Sequence, residues 1–348
     1  MPYRDPKILN SIEELPAEFK KRKISTVMLV TDFQLRTLTR NLEELLPQNG
    51  IKCIVYDKTR PNPTVSNVEE ALQIYKENNC KGLIAFGGGS SMDCAKAVGA
   101  RVACPRKPLS KMKGILKLRR KIPFLAAIPT TAGTGSEVTV TAVITDEKTN
   151  YKYPMSDFPL IPKVAVLDPK VTFTLPKSLT ASTGVDALTH AVEAYIGRST
   201  IIKTRNYSRT ATKLIFENIE KAYQNGYDEE ARRNMLMASH LAGGAFSRSY
   251  VGYVHAVAHS LGGAYNIPHG LANSVLLPVV LKRYGPKVYK KLKQLAVAAG
   301  LADKNDSAEL AAKNFIRQIE ELNARELEQF YYDVMEKNEA DKKSDKNN

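Results

Sequence analysis

Up to Pro176 the chain alternates short apolar runs with amphipathic stretches, and after Pro176 the strand-like runs stop. This asymmetry restricts the fold more than any other feature of the sequence. Strand-length runs separated by helix-length segments return each strand in the same direction, which gives a parallel sheet covered on both faces. The runs are Ser25–Val30, Cys53–Tyr56, Gly82–Phe86, Phe124–Ile128 and Val164–Leu167. Between them, Thr64–Asn78 carries Val65, Val68, Ala71, Leu72 and Tyr75 at helical spacing, so it packs one face and solvates the other. Beyond Pro176 the periodicity predicts successive helices over Ser182–Ile196, Thr204–Asn225, Glu229–Ser247, Gly252–Ala264, Leu271–Arg283, Lys287–Ala299 and Ser307–Leu322. At 348 residues the chain exceeds one small core. The expected architecture is an N-terminal Rossmann-like α/β domain over 1–176 and an all-helical C-terminal domain over 177–348.

Composition excludes several classes of protein. With 43% hydrophobic and 25% charged residues the chain is an ordinary globular one. No apolar run approaches the roughly eighteen residues that suggest a membrane span. The opening MPYRDPKILNSIEELP has no apolar core of a signal peptide, so a cytoplasmic, membrane-free location is the expectation. Cys53, Cys80, Cys94 and Cys104 show no CxxC spacing and read as reduced thiols. The net charge of +15 and the acid-free run from Arg106 to Lys121 raise nucleic-acid binding. No aromatic residue interleaves with those cations, so the run reads as a solvated loop or a steering surface for an anionic cofactor, with no nucleic-acid partner. The polar tail from about residue 338, NEADKKSDKNN, is expected to be disordered.

In GLIAFGGGSSMDCAKAVG an apolar strand runs into Gly87, Gly88 and Gly89 and then into a helix. Ser90 as N-cap with Asp93 three residues on predicts a capping box. Glycines let a ligand approach the backbone, and the helix N-terminus attracts phosphate; the bland alternative is a tight turn without a ligand. Met92 replaces the last glycine of the GxGxxG fingerprint, so a standard dinucleotide site is not licensed by this motif alone. A second small-residue turn, PTTAGTGSEVT, follows the strand FLAAI at the same sheet edge, and two such strand ends suit a long diphosphate ligand. Asp32, closing TVMLVTD, suits a ribose diol and repels a 2′-phosphate, favouring NAD over NADP; a helix N-cap aspartate fits the position equally.

The helical half holds the metal candidates. Asp186 and His190 in GVDALTHAVEAY, and His255 and His259 in HAVAHSLGGAYNIPHG, are pairs at i and i+4, which stack on one helix face. His269 follows Pro268 at a turn, and the one remaining histidine is His240. A buried histidine alone is more often a core residue, and Asp186 also suits the first turn of a helix. The cluster points to a divalent cation. One carboxylate with two or three imidazoles and no thiolate suits Fe(II) or Zn(II) rather than a structural zinc knot.

Thr31-Asp32, PNPTVSNV, GGGSSMDCAKAVG, PTTAGTGSE, GVDALTHAVEAY and HAVAHSLGGAYNIPHG, in this order, resemble the iron-containing (group III) alcohol dehydrogenase family, with its dehydroquinate synthase-like architecture. The resemblance runs from about residue 5 to Leu322 and implies a metal-dependent NAD(H) alcohol dehydrogenase or aldehyde reductase acting on small aliphatic alcohols. It implies Asp186, His190, His255 and His269 as ligands of Fe(II) or Zn(II), with His259 lining the cleft as a proton relay. For NAD it implies Asp32, Asn62, Gly88, Gly89, Ser90, Thr130, Thr131, Val143 and Lys152. A dimer or larger homo-oligomer is also implied. In that chemistry the metal is a Lewis acid toward the substrate oxygen while hydride moves to or from nicotinamide.

After FIRQIEELN the chain passes directly to ARELEQFYYDVM, similar to the family's last helix, so a segment is missing near Asn323–Ala324 relative to the family. That shortening leaves an inactive homologue as one alternative. An NAD- and metal-dependent lyase of the dehydroquinate-synthase type is the other.

Overall fold

The computed structural model describes residues 3–149, 151–265 and 267–324. The chain divides into two compact units, one ending at Thr172 and one beginning at Phe173. The strands of the first unit are β1 (Lys7–Leu9), β2 (Thr26–Val30), β3 (Lys52–Tyr56), β4 (Gly82–Gly87), β5 (Gly114–Ile115), β6 (Phe124–Pro129), β7 (Thr141–Asp146), β8 (Tyr151–Ser156) and β9 (Val164–Val166). Six of them form one parallel sheet in the order β1-β9-β6-β4-β2-β3.

Side-chain alternation divides this sheet into two buried faces. Val27, Leu29, Ile84, Phe86, Ala126 and Ile128 join a core that includes Leu15 and Phe19 of α1 (Leu15–Lys20) and Leu42 and Leu46 of α2 (Arg40–Gln48). Met28, Val30, Leu83, Ala85, Leu125 and Ala127 join the other, with Val68, Ala71 and Tyr75 of α3 (Val65–Glu77) and Met92, Ala95 and Val98 of α4 (Gly89–Ala103). Each large aliphatic or aromatic side chain so buried contributes about 1.5–3 kcal/mol relative to exposure. Helix α3 starts at a reciprocal capping box: Thr64 Oγ1 accepts from Asn67 N at 3.2 Å, and Asn67 Oδ1 accepts from Thr64 N at 3.4 Å.

The capping box expected at Ser90 and Asp93 does not form. Gly88 is the N-cap of α4 and no side chain caps it. The turn is completed one step earlier, at Gly87, whose φ of +143° favours glycine; a Cβ there would stand 2.5 Å from Ser91 Oγ. Ser90 Oγ instead accepts from Asn62 N at 3.2 Å. Asp93 turns inward and accepts from Ser136 Oγ at 3.0 Å and from Val143 N at 2.9 Å.

A second, three-stranded sheet of order β5-β8-β7 was not foreseen from the sequence. Its β7–β8 hairpin pairs Thr145 with Lys152 and Val143 with Pro154. Ala142, Ile144, Tyr153 and Met155 face the core, which places Val143 and Lys152 on the opposite face.

The described residues of the second unit form helices and no strand: α5 (Lys177–Ile196), α6 (Ile202–Gln224), α7 (Glu229–Ser249), α8 (Tyr253–Tyr265), α9 (His269–Tyr284), α10 (Pro286–Ala298) and α11 (308–324). Among these residues no helix is long and apolar enough to cross a membrane. Helix α5 starts five residues before its expected Ser182 and is buried from Gly184 to Tyr195, so it serves as the central helix against α6, α7 and α9. Pro278 inside α9 has no N–H for the Ser274 carbonyl, and the Asn323 side-chain amide of α11 donates to that carbonyl instead. The family's last helix and the expected disordered tail lie outside the described residues.

Candidate functional site

In the first unit, β2 connects toward β3 at one edge while β4 and β6 continue toward the other. Strand order therefore reverses between β2 and β4, and the carboxyl ends of strands at such a point are where open α/β sheets bind ligands. Asp32 follows β2 and accepts from Leu35 N at 3.1 Å, capping a short 3-10 turn. Gly88, Gly89 and Ser90 follow β4, where the first turn of α4 offers N–H groups and the positive end of the helix dipole. Thr130 and Thr131 follow β6, and Thr130 N donates to Gly87 O at 3.1 Å.

The two glycine-rich turns face each other closely. A Cβ on Gly88 would meet Thr131 Oγ1 at 3.4 Å, and one on Gly89 would meet Thr134 Cγ2 at 3.2 Å. Asn62, with φ of +56°, reaches this group through Ser90. Val143 is tied to α4 by its N–H to Asp93, whereas Lys152 lies exposed on the hairpin. Beneath the turns, the buried Lys96 ammonium donates to Ser136 Oγ at 2.9 Å, Thr139 O at 3.2 Å, Thr139 Oγ1 at 2.9 Å and Thr141 O at 2.8 Å. Burial lowers its pKa to about 8, with Asp93 and Glu137 opposing the shift.

In the second unit, Asp186 lies in the middle of α5 rather than in its first turn, and is buried. His255 in the first turn of α8 and His269 at the start of α9 converge on it. Donor atoms of these three residues all lie within 4.8 Å of one another. Asp186 Oδ1 is 3.6 Å from His255 Nε2 and 3.7 Å from His269 Nε2. His190 stands beside this group: its Nδ1 is 3.9 Å from Asp186 Oδ2, and its ring stacks between Phe246 at 4.2 Å and His255 at 4.4 Å. His259 is exposed, with its ring centre 4.8 Å from that of His269.

Charge explains how this cluster holds together. Burial raises the Asp186 carboxyl, but His190, His255 and His269 outweigh it and hold the group well below the usual carboxylate range. Burial lowers His255, but Asp186 and Glu193 outweigh it and lift the imidazole to about 9.

The donor set fits a divalent cation. Among the described residues His255 Nε2 is buried without a hydrogen-bond partner, and one carboxylate with imidazoles is a borderline-hard set. Two neighbours escaped the sequence reading. Glu193 Oε2 lies 2.7 Å from His255 Nδ1, and Asn273 Nδ2 donates to Asp186 Oδ1 at 2.7 Å and stands 3.1 Å from His269 Nε2. Their spacing was the available signal: Glu193 is seven residues after Asp186, and Asn273 four after His269.

Glycine-rich turns at a parallel-sheet switch point, and a carboxylate–imidazole cluster in the helical unit, fit the class of enzymes that combine a phosphate-bearing cofactor with a divalent cation. Comparison with known proteins specifies which. Residues 9–169 match the iron-containing alcohol dehydrogenase family, and residues 180–330 match the C-terminal part of the Fe-containing alcohol dehydrogenase family. Alcohol dehydrogenase 4 of Saccharomyces cerevisiae (strain YJM789) is 36% identical over 323 residues, covering 91% of this chain and 84% of that protein. The 1,3-propanediol dehydrogenase of Citrobacter freundii is 41% identical over 259 residues, covering 73% and 67%. A crystal structure of 1,3-propanediol oxidoreductase superposes with a TM-score of 0.89 at 35% identity, covering 93% of this chain and 86% of that one. The chain belongs to the iron-containing alcohol dehydrogenase family. It is an alcohol dehydrogenase by descent.

Proposed function

We propose that the protein is an NAD(H)-dependent alcohol dehydrogenase or aldehyde reductase that acts on small aliphatic alcohols with Fe(II) or Zn(II) as its metal. The observation that carries this reading is the convergence of Asp186, His255 and His269 donor atoms within 4.8 Å, with His190 adjacent. Asp186, His190, His255 and His269 would hold the ion. When bound, the ion supplies Lewis acidity toward a substrate oxygen and the nicotinamide exchanges hydride. Relatives named NAD-dependent methanol dehydrogenase (Bacillus methanolicus) and 1,3-propanediol dehydrogenase (Citrobacter freundii) favour a short primary alcohol, and the first of these names supports NAD.

The chain's own residues supply the rest. Gly88, Gly89 and Ser90 offer the helix N-terminus to a diphosphate, with Thr130 and Thr131 on the facing turn. Asp32 presents a carboxylate to a ribose diol and opposes a 2′-phosphate. His259, exposed beside His269, exchanges the hydroxyl proton with solvent, a task suited to an imidazole near neutral pH. The test is elemental analysis together with NAD-dependent oxidation of a primary alcohol by the wild type and by His255→Ala. Bound metal and turnover that both vanish in the variant support the reading, and full activity in the variant sinks it.

A further inference from the structure

Glu193 shares α5 with Asp186 and His190, and its side chain is only 1% exposed. A buried carboxylate of this kind demands donors. Oε2 accepts from Gly252 N at 2.8 Å, and Oε1 from Val254 N at 2.7 Å. Oε2 also lies 3.4 Å from His255 N and 2.7 Å from His255 Nδ1. Since α8 begins at Tyr253, the same carboxylate caps that helix and grips the first imidazole it carries.

An ionised carboxylate only accepts hydrogen bonds, so Nδ1 facing Glu193 must carry the proton. The neutral ring then has its lone pair on Nε2, the atom aimed at Asp186 Oδ1 from 3.6 Å. We infer that Glu193 is a positioning residue for the metal centre: it fixes His255 in the Nδ1–H tautomer and so presents Nε2 to a divalent cation. The inference rests on the metal reading above. Gly252 is part of the device, because a Cβ there would stand 2.6 Å from Glu193 Oε1 and displace the carboxylate.

Glu193→Gln is isosteric but places an amide donor in the group. With the donor toward His255, Nδ1 must accept and the proton moves to Nε2, which then cannot bind an ion. Outer-sphere partners of metal-bound histidines typically change affinity about 10–100-fold. Titration of the full chain with Zn²⁺ against a chromophoric chelator should show that loss in Glu193→Gln and a loss in the same direction in Gly252→Ala. Nitrogen-15 NMR of the metal-free protein, at a pH high enough that the His255 ring is neutral, should show its tautomer inverted in Glu193→Gln, a change that a merely structural capping role would not produce. If Glu193→Gln does not fold, Gly252→Ala decides, and undiminished Zn²⁺ affinity there overturns the inference. Unchanged tautomer and affinity in folded Glu193→Gln also overturn it. Failure of the wild type to bind Zn²⁺ overturns the metal reading itself, and this inference with it.

Discussion

Replacing Lys96 by methionine removes a buried cation and the donor for four acceptors in one step. The four are Ser136 Oγ, Thr139 O, Thr139 Oγ1 and Thr141 O. Ser136 Oγ still donates to Asp93, and Thr141 O keeps a 3.4 Å contact from Thr139 Oγ1. The Thr139 carbonyl is therefore orphaned, and Thr139 Oγ1 loses the donor it accepted from while still donating to Thr141 O, at roughly 1–3 kcal/mol each, or about 4 kcal/mol together. Against this, a pKa lowered from 10.5 to about 8 means that the charged lysine opposes folding by about 3 kcal/mol at pH 7, and methionine relieves that penalty. The net expectation is a loss of about 1 kcal/mol at pH 7.

The sign of the pH dependence follows from the same shift. Between pH 8 and 10.5 the folded state has released the Lys96 proton while the unfolded state retains it, so wild-type stability gains with rising pH. At pH 9.5 the residual penalty is about 1 kcal/mol, so the gap between wild type and Lys96→Met widens to about 3 kcal/mol. Urea unfolding of both full chains, followed by circular dichroism at pH 7 and pH 9.5, measures the gap. A gap that stays constant or narrows refutes the reasoning. Because Lys96 ties the second glycine-rich turn to α4, the variant should also bind NADH about tenfold more weakly.

Three further outcomes are expected. Gly87→Ala forces an L side chain to φ +143° and into Ser91, so urea unfolding should show a loss of about 2–4 kcal/mol, accompanied by weaker NADH binding. Asp32→Ser retains a cap for Leu35 N while removing the charge, so the ratio of NADPH to NADH use in aldehyde reduction should rise at least about tenfold; an unchanged ratio would remove Asp32 from the cofactor site. His259→Ala, at an exposed position, should lower kcat about 100-fold and flatten its pH profile near neutrality while metal content stays constant; wild-type kcat would end its proton role.

The strands at the centre of the sheet were legible because both of their faces are buried, which writes continuous apolar runs such as Gly82–Phe86. Strand β1 is three residues at a sheet edge, too short to show a period, and the β7–β8 hairpin alternates around polar residues that read as loop. The cap of α4 was misplaced because Ser90 has the better capping side chain, whereas the turn needs a backbone that only Gly87 supplies. In the helical unit, i,i+4 spacing exposed Asp186, His190, His255 and His259 as candidates. Spacing alone did not place His259 at an exposed position and His269 against Asp186, since that depends on how α8 and α9 pack. For Glu193 and Asn273, spacing put each on a helix face with a candidate ligand, but their contacts with His255 and Asp186 depend on helices distant in sequence.

The most direct test of the account is the initial rate of NADH formation from a short primary alcohol. It should be followed before chelation of the protein's metal, after chelation, and after stoichiometric Fe(II) or Zn(II) is restored. A rate that disappears with the metal and returns with it is the predicted result. Alcohol-dependent NADH formation that survives complete metal removal, or its absence in protein that binds both metal and NADH, would contradict the account.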